Sequence, residues 1–321
     1  MNVFVRPDVR AFLDMANAMP GPKMHELEPT AARQVTAASR ELVDLPVGEL
    51  ATITDAVTPG GVAVRLFDAR EKREPGPVVA FFHGGGFVIG DISTHASFCA
   101  EMARVLDLPV VSVDYGLAPE NPWPAAPDDC EAAARWIATS PAELGRAVTS
   151  LVVAGDSAGG KLAITTAMAL RDSPAQVPVI AQFPIYPCAN LGTHYPSNDL
   201  FSDGFILTKA GMDYFEAHYG ADLSDVRAVP MLGDLTGMPP ALILNAGLDP
   251  IRDQGRAYAA ALAEAGVPVI FREAAGIPHG FITLRKVMPS GVGDVAGALA
   301  ALKPMIAEAE ATRVMAQAAG A

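Results

Sequence analysis

The chain has 321 residues, 50% of them hydrophobic and 18% charged, with a formal net charge of −13. That length and apolar content support one large α/β domain, alone or with an insertion, and exclude general disorder. The acidic balance, with no basic cluster, argues against a nucleic-acid or anionic-membrane partner.

Residues 1 to about 45 predict amphipathic helix, broken at Met19-Pro20-Gly21-Pro22. They precede any strong strand, which suggests an accessory layer. An apolar stripe there (Phe12, Met15, Met19, Met24) either lines a pocket or packs on the core. The Met1–Pro7 stretch lacks the basic-then-apolar pattern of a signal peptide, and no apolar run reaches membrane-spanning length. Cys99, Cys130 and Cys188 form no C-x-x-C and read as free, buried thiols. A cytoplasmic protein is expected.

Two strand-like runs follow, Leu50 to Thr54 and Val62 to Phe67, joined by Thr58-Pro59-Gly60-Gly61 as an antiparallel hairpin. Strands and helices then alternate. Val78 to Phe82, Val110 to Val113, Leu151 to Ala154, Val179 to Phe183, Ala241 to Asn245 and Val269 to Arg272 predict strands. Ser93 to Leu106 (with Ser93 as N-cap), Ala125 to Ala138, Lys161 to Arg171 and about Asp253 to Ala265 predict helices. Such alternation of apolar strands with helices means a mostly parallel sheet covered on both faces. Between Pro187 and Pro239 the pattern stops, apart from one helix near Lys209 to Tyr219, so this segment reads as an insertion over the sheet.

Chemistry concentrates just after the predicted strands, positions that share one edge of a parallel sheet. Gly155-Asp156-Ser157-Ala158-Gly159 places Ser157 on a tight strand-to-helix turn, where glycines remove clashing Cβ atoms and a helix N-terminus leaves N–H groups free. A serine hydroxyl needs a base, an orienting acid and donors for an oxyanion. Of the six histidines, His279 in Pro278-His279-Gly280-Phe281 follows the last strand and is the base candidate. His25, His95, His194 and His218 fall in predicted helices or the insertion. Asp249 before Pro250 is the acid candidate, with an Asx turn or helix cap as its structural alternative and Asp253 as the substitute acid. His83-Gly84-Gly85-Gly86 offers Gly84 and Gly85 N–H groups, with Ala158 N–H, as a three-donor oxyanion hole. No phosphate-loop pattern competes. Gly291-Val292-Gly293-Asp294-Val295-Ala296 has dinucleotide spacing but follows no strand. There is no H-E-x-x-H and no Cys/His cluster, so no metal is expected.

With these residues in hand, the chain resembles the hormone-sensitive-lipase-like carboxylesterases of the α/β-hydrolase superfamily. The resemblance runs from about residue 50 to about 285 and rests on His83-Gly84-Gly85-Gly86, Asp114-Tyr115-Gly116-Leu117-Ala118-Pro119-Glu120, Gly155-Asp156-Ser157-Ala158-Gly159-Gly160, Asp249-Pro250 and His279-Gly280-Phe281. It implies an α/β-hydrolase fold: an eight-stranded, mostly parallel sheet flanked by helices, under a helical cap. The expected division is cap helices over 1–45, core over 46–187, cap insertion over 188–228 and core again over 229–321. The resemblance implies hydrolysis of short-chain acyl esters by a Ser157-His279-Asp249 triad, without cofactor, and suggests a homodimer through the last strand and C-terminal helix. A non-catalytic small-molecule receptor and a lactone or amide hydrolase are the alternative readings. One departure is Gly116, where the family usually has arginine, so whatever that side chain braces is missing or replaced. Asp114 and Glu120 are expected to support the loop.

Overall fold

The computed structural model describes residues 3–320, and its centre is one eight-stranded sheet. Strands β1 (Thr52–Val57), β2 (Ala63–Asp68), β3 (Gly76–Phe82), β4 (Val110–Asp114), β5 (Val148–Asp156), β6 (Val179–Ile185), β7 (Ala241–Leu248) and β8 (Val269–Pro278) lie in the order β1-β2-β4-β3-β5-β6-β7-β8. The β1–β2 and β2–β4 pairs are antiparallel and the others parallel, the mostly parallel α/β sheet expected.

The helices are α1 (Pro7–Ala18), α2 (Pro29–Val43), α3 (Ala96–Leu106), α4 (Ala125–Ile137), α5 (Ala158–Asp172), α6 (Pro196–Leu200), α7 (Lys209–Tyr219), α8 (Arg252–Glu264) and α9 (Val292–Gly320). Strand residues facing one side (Val78, Ala80, Val111, Val153) pack with Ala133 of α4, Leu162 of α5 and Leu262 of α8. Their neighbours facing the other side (Val79, Phe81, Val152, Leu244) pack with Leu13 of α1, Phe98 of α3 and Leu299 of α9. Each such buried Val, Leu or Phe side chain is worth about 1.5–3 kcal/mol, so the two layers hold the sheet rigid between them.

That rigidity matters for what the sheet carries. Register pairs Phe82 with Gly155, Asp156 with Ile185 and Leu248 with Pro278, so β3, β5, β7 and β8 all end at one edge. His83, Ser157, Asp249 and His279 each follow one of those ends.

Several boundaries differ from expectation. Helix α3 begins at Ala96 instead of Ser93, because Asp91 and Thr94 close a turn first: Thr94 N donates to Asp91 Oδ1 at 2.7 Å and Asp91 N to Thr94 Oγ1 at 2.9 Å. β8 runs beyond Arg272 to Pro278, pairing with β7 to Ala274 and again at Pro278 across a register shift, although Ile270, Phe271 and Arg272 at its outer end are exposed and blur the apolar pattern. The short α6 had no sequence signal. Of the N-terminal stripe, Phe12 and Met24 pack against the core, whereas Met15 and Met19 are exposed.

The N-terminal layer is fastened by charge. Arg285, fully buried, donates from Nε and Nη2 to the Asp44 carboxylate, each at 2.9 Å, and also engages Glu101 and Ser97 of α3. A guanidinium has donors enough to satisfy all three partners at once, which makes this burial tolerable.

Candidate active site

Ser157 joins β5 to α5 with φ 55° and ψ −117°, a conformation that an L-residue adopts only under constraint. The constraints are visible. Ser157 N donates to Ile185 O at 2.8 Å, and Ser157 O accepts from Lys161 N at 3.2 Å and Cys188 N at 3.3 Å. The turn can pass this close to β3 only because residue 159 is glycine: a Cβ there would stand 1.9 Å from Phe82 O. The bend leaves the hydroxyl half-buried and facing His279.

His279 Nε2 lies 2.8 Å from Ser157 Oγ, and its Nδ1 lies 2.6 Å from Asp249 Oδ2. Asp249 is fully buried, and its other oxygen accepts the Ile251 N–H at 2.8 Å, which fixes the carboxylate in the turn before α8. The serine and histidine are 122 residues apart in the chain, brought together by the register of the sheet. Asp253, the substitute acid, points elsewhere: it accepts from Ser197 N and pairs with Arg252 and Arg256.

The expected oxyanion donors need one correction. Gly84 N–H donates to Asp156 Oδ1 at 2.7 Å and so is not available to a ligand. The N–H groups of Gly85, Gly86 and Ala158 have no protein acceptor among the described residues. Gly86, at φ 60°, also lies directly beneath α7, since a Cβ there would stand 2.2 Å from Phe215 Cγ.

Asp156 anchors a buried polar cluster behind the serine. Besides Gly84 N–H, it receives the Tyr186 hydroxyl at 3.2 Å and stands 3.1 Å from His95 Nε2. Burial alone would disfavour charge on both partners, but each favours the other's charge: His95 is raised above the ordinary imidazole value and Asp156 lowered below the ordinary carboxylate value. His83 behaves differently. Burial, with His95 beside it, drives it down to about 4, so it is neutral at pH 7. Its Nδ1 is 2.8 Å from Gly84 O, and its carbonyl accepts the Tyr115 hydroxyl at 2.7 Å. His95, Tyr186 and Phe215 carry no motif of their own, and only their tertiary contacts reveal them.

The loop containing Gly116 is braced from another element. Gly116 N donates to Asp129 Oδ2 at 2.8 Å, and a Cβ there would crowd Asn121 at 2.9 Å. Arg33 of α2 grips Glu120 with both terminal nitrogens (2.6 and 2.9 Å) and also donates to the carbonyls of Ala118 and Val88. The Gly291–Ala296 run that mimics a dinucleotide loop opens α9, where Asp294 pairs with Arg6 at 2.6 Å.

A family model described as alpha/beta hydrolase fold matches residues 79–283. The carboxylic ester hydrolase LipN of Mycobacterium tuberculosis is 36% identical over 297 residues, covering 88% of this chain and 71% of that protein. The carboxylesterase NlhH of the same organism is 37% identical over 278 residues, covering 84% and 86%. Among solved structures, the ester hydrolase EH1AB1 from the metagenome of Lake Arreo, complexed with a bipyridine phosphonate derivative, superposes with a TM-score of 0.88 at 36% identity, covering 95% and 99% of the two chains. A hyperthermophilic esterase from the archaeon Pyrobaculum calidifontis gives 0.87 at 32% identity, covering 94% and 99%. The chain therefore belongs to the α/β-hydrolase family, within its hormone-sensitive-lipase-like group.

Proposed function

We propose that the protein is a carboxylic ester hydrolase that cleaves short-chain acyl esters through an acyl-enzyme on Ser157. The observation that carries this reading is the continuous line Ser157 Oγ–His279–Asp249, with separations of 2.8 and 2.6 Å. His279 Nε2 takes the serine proton as Oγ attacks the ester carbonyl, while Asp249 holds the Nδ1–H tautomer and balances the imidazolium charge. The carbonyl oxygen becomes an oxyanion facing the N–H groups of Gly85, Gly86 and Ala158, the last at the positive end of α5. Collapse of the tetrahedral adduct breaks the bond to the alcohol, which leaves with the proton from His279. Water, deprotonated by the same imidazole, then attacks the acyl carbonyl; the bond to Ser157 Oγ breaks, the acid is released and Oγ takes back the proton from His279.

Helices α1 and α2 and the 188–228 segment are assigned as the cap, on the support of Phe215 resting over Gly86 and α7 meeting the turn at Met24–Glu26. The three free, buried cysteines support a reducing, cytoplasmic setting. No described helix is long and apolar enough to cross a membrane. The β8 edge, with Ile270 and Phe271 exposed, supports a homodimer formed there.

The deciding experiment is a series of p-nitrophenyl esters from acetyl to palmitoyl on wild type and Ser157→Ala. Hydrolysis confined to short acyl chains and abolished in the variant is expected. Wild-type inactivity on every ester would point instead to a receptor, or to a substrate outside ordinary esters.

A further inference from the structure

Lys161 is fully buried one turn into α5, and the mechanism above gives it no role. Its Nζ lies 4.3 Å from the Phe87 ring centroid and 4.9 Å from that of Tyr219. The Ala228 carbonyl, at 3.3 Å, is its one hydrogen-bond acceptor among the described residues. An ammonium left with a single carbonyl and a stacked aromatic pair is a poor choice for stability alone, because a neutral chain of the same shape would fill the space without the desolvation cost.

Its three contacts come from different parts of the site. Phe87 directly follows Gly86 and is held at φ 64°, a left-handed conformation that a bulky residue keeps only when its surroundings enforce it. Its ring stacks on Tyr219 at 3.8 Å and 10°, and Tyr219 ends α7. Ala228 lies at the end of the 188–228 segment. Lys161 itself grows from the helix that begins with Ala158.

We propose that Lys161 is a positioning residue: its ammonium, set beside the Phe87–Tyr219 stack, sets the spacing between the Gly85-Gly86 loop and the start of α5, and seats α7 on both. The inference rests on the ester-hydrolase reading, since the groups it spaces are the free N–H donors of that reaction.

A pH signature follows. Attraction to the aromatic pair requires the charged form. Burial drives Lys161 down to about 8, against the opposing pull of the Glu216 carboxylate. The neighbouring Cys188 and Tyr219 are both raised by burial, so neither ionises first. Activity should therefore fall as the pH rises through about 8. Stability should move the other way: above that pH the unfolded chain, with its ordinary lysine, binds more protons than the folded one, so deprotonation favours the fold.

The test compares wild type, Lys161→Met and Tyr219→Leu in p-nitrophenyl butyrate kinetics between about pH 6.5 and 9.5, with thermal unfolding and titration of the reactive serine by diethyl p-nitrophenyl phosphate. Lys161→Met is expected to titrate fully and to unfold at no lower temperature. It should nonetheless lose about tenfold in kcat at neutral pH and lack the alkaline fall. Tyr219→Leu keeps the lysine but removes one of the two rings, so its alkaline fall should move to lower pH. Wild-type kcat and an unchanged alkaline fall in Lys161→Met would overturn the inference. Should that variant not fold, an unmoved fall in Tyr219→Leu would do the same. A wild type inert to the organophosphate would sink the hydrolase reading itself, and this inference with it.

Discussion

One carboxylate oxygen, Asp156 Oδ1, holds both the Gly84 N–H at 2.7 Å and the His95 imidazole at 3.1 Å. The residue before the proposed nucleophile thus ties the glycine loop after β3 to the residue that precedes α3. Asp156→Asn is expected to weaken both contacts and lower kcat by about 10- to 100-fold, with KM for a short ester nearly unchanged. Steady-state kinetics on p-nitrophenyl acetate check it; a rise in KM alone would contradict it.

The same pair has a pH dependence whose sign is fixed. His95 is raised above its ordinary value of 6.5, so the stability it contributes is fully present below that pH and is lost as pH rises through the folded value. Asp156, lowered from 3.8, contributes above that pH and loses its contribution as pH falls through its folded value. The stability difference between wild type and His95→Gln should therefore be largest between those limits, near pH 5, and shrink toward alkaline pH. Urea unfolding at several pH values measures it; a gap that widens with pH would be the wrong sign.

Asp249 and Asp253 sit close in sequence but face different partners. Asp249→Asn is expected to cut turnover by about 10⁴-fold, as does Ser157→Ala or more, both with the fold retained. Asp253→Asn should leave turnover within about threefold and only loosen the α6–α8 contact through Ser197. The two assays together decide which aspartate serves His279.

Phe215 roofs Gly86 so closely that an added methyl group has no room. Gly86→Ala should depress ester hydrolysis strongly, and Phe215→Ala in the same chain should restore part of it. Phe215→Ala alone should shift the acyl preference toward longer chains. An unchanged chain-length profile would remove Phe215 from the substrate path.

Arg285 is buried with Asp44 and Glu101 as its counter-charges. Truncation to alanine leaves both carboxylates without their cation and should cost about 3–5 kcal/mol. Chemical denaturation measures this directly. Substituting Asp44 by asparagine in the same chain should cost much less than it does in the wild type, because its partner is already gone.

The sequence by itself determined the alternation that makes a parallel sheet, the identity of Ser157, Asp249 and His279 as strand-end residues, and the glycines that a tight turn demands. Those are local signals: a backbone that must bend sharply admits few residue types, and a strand buried on both faces is apolar along its length. Which N–H groups remain free was decided only in three dimensions, where Asp156 reaches across 72 residues to occupy Gly84. The same holds for Arg33 taking hold of the Gly116 loop, for His95 leaving its predicted helix to meet Asp156, and for the rings of Phe87 and Tyr219 closing on Lys161. Each is a single long-range side-chain contact, and such a contact leaves no periodicity or spacing in the chain because its partners are neighbours only after the sheet has formed.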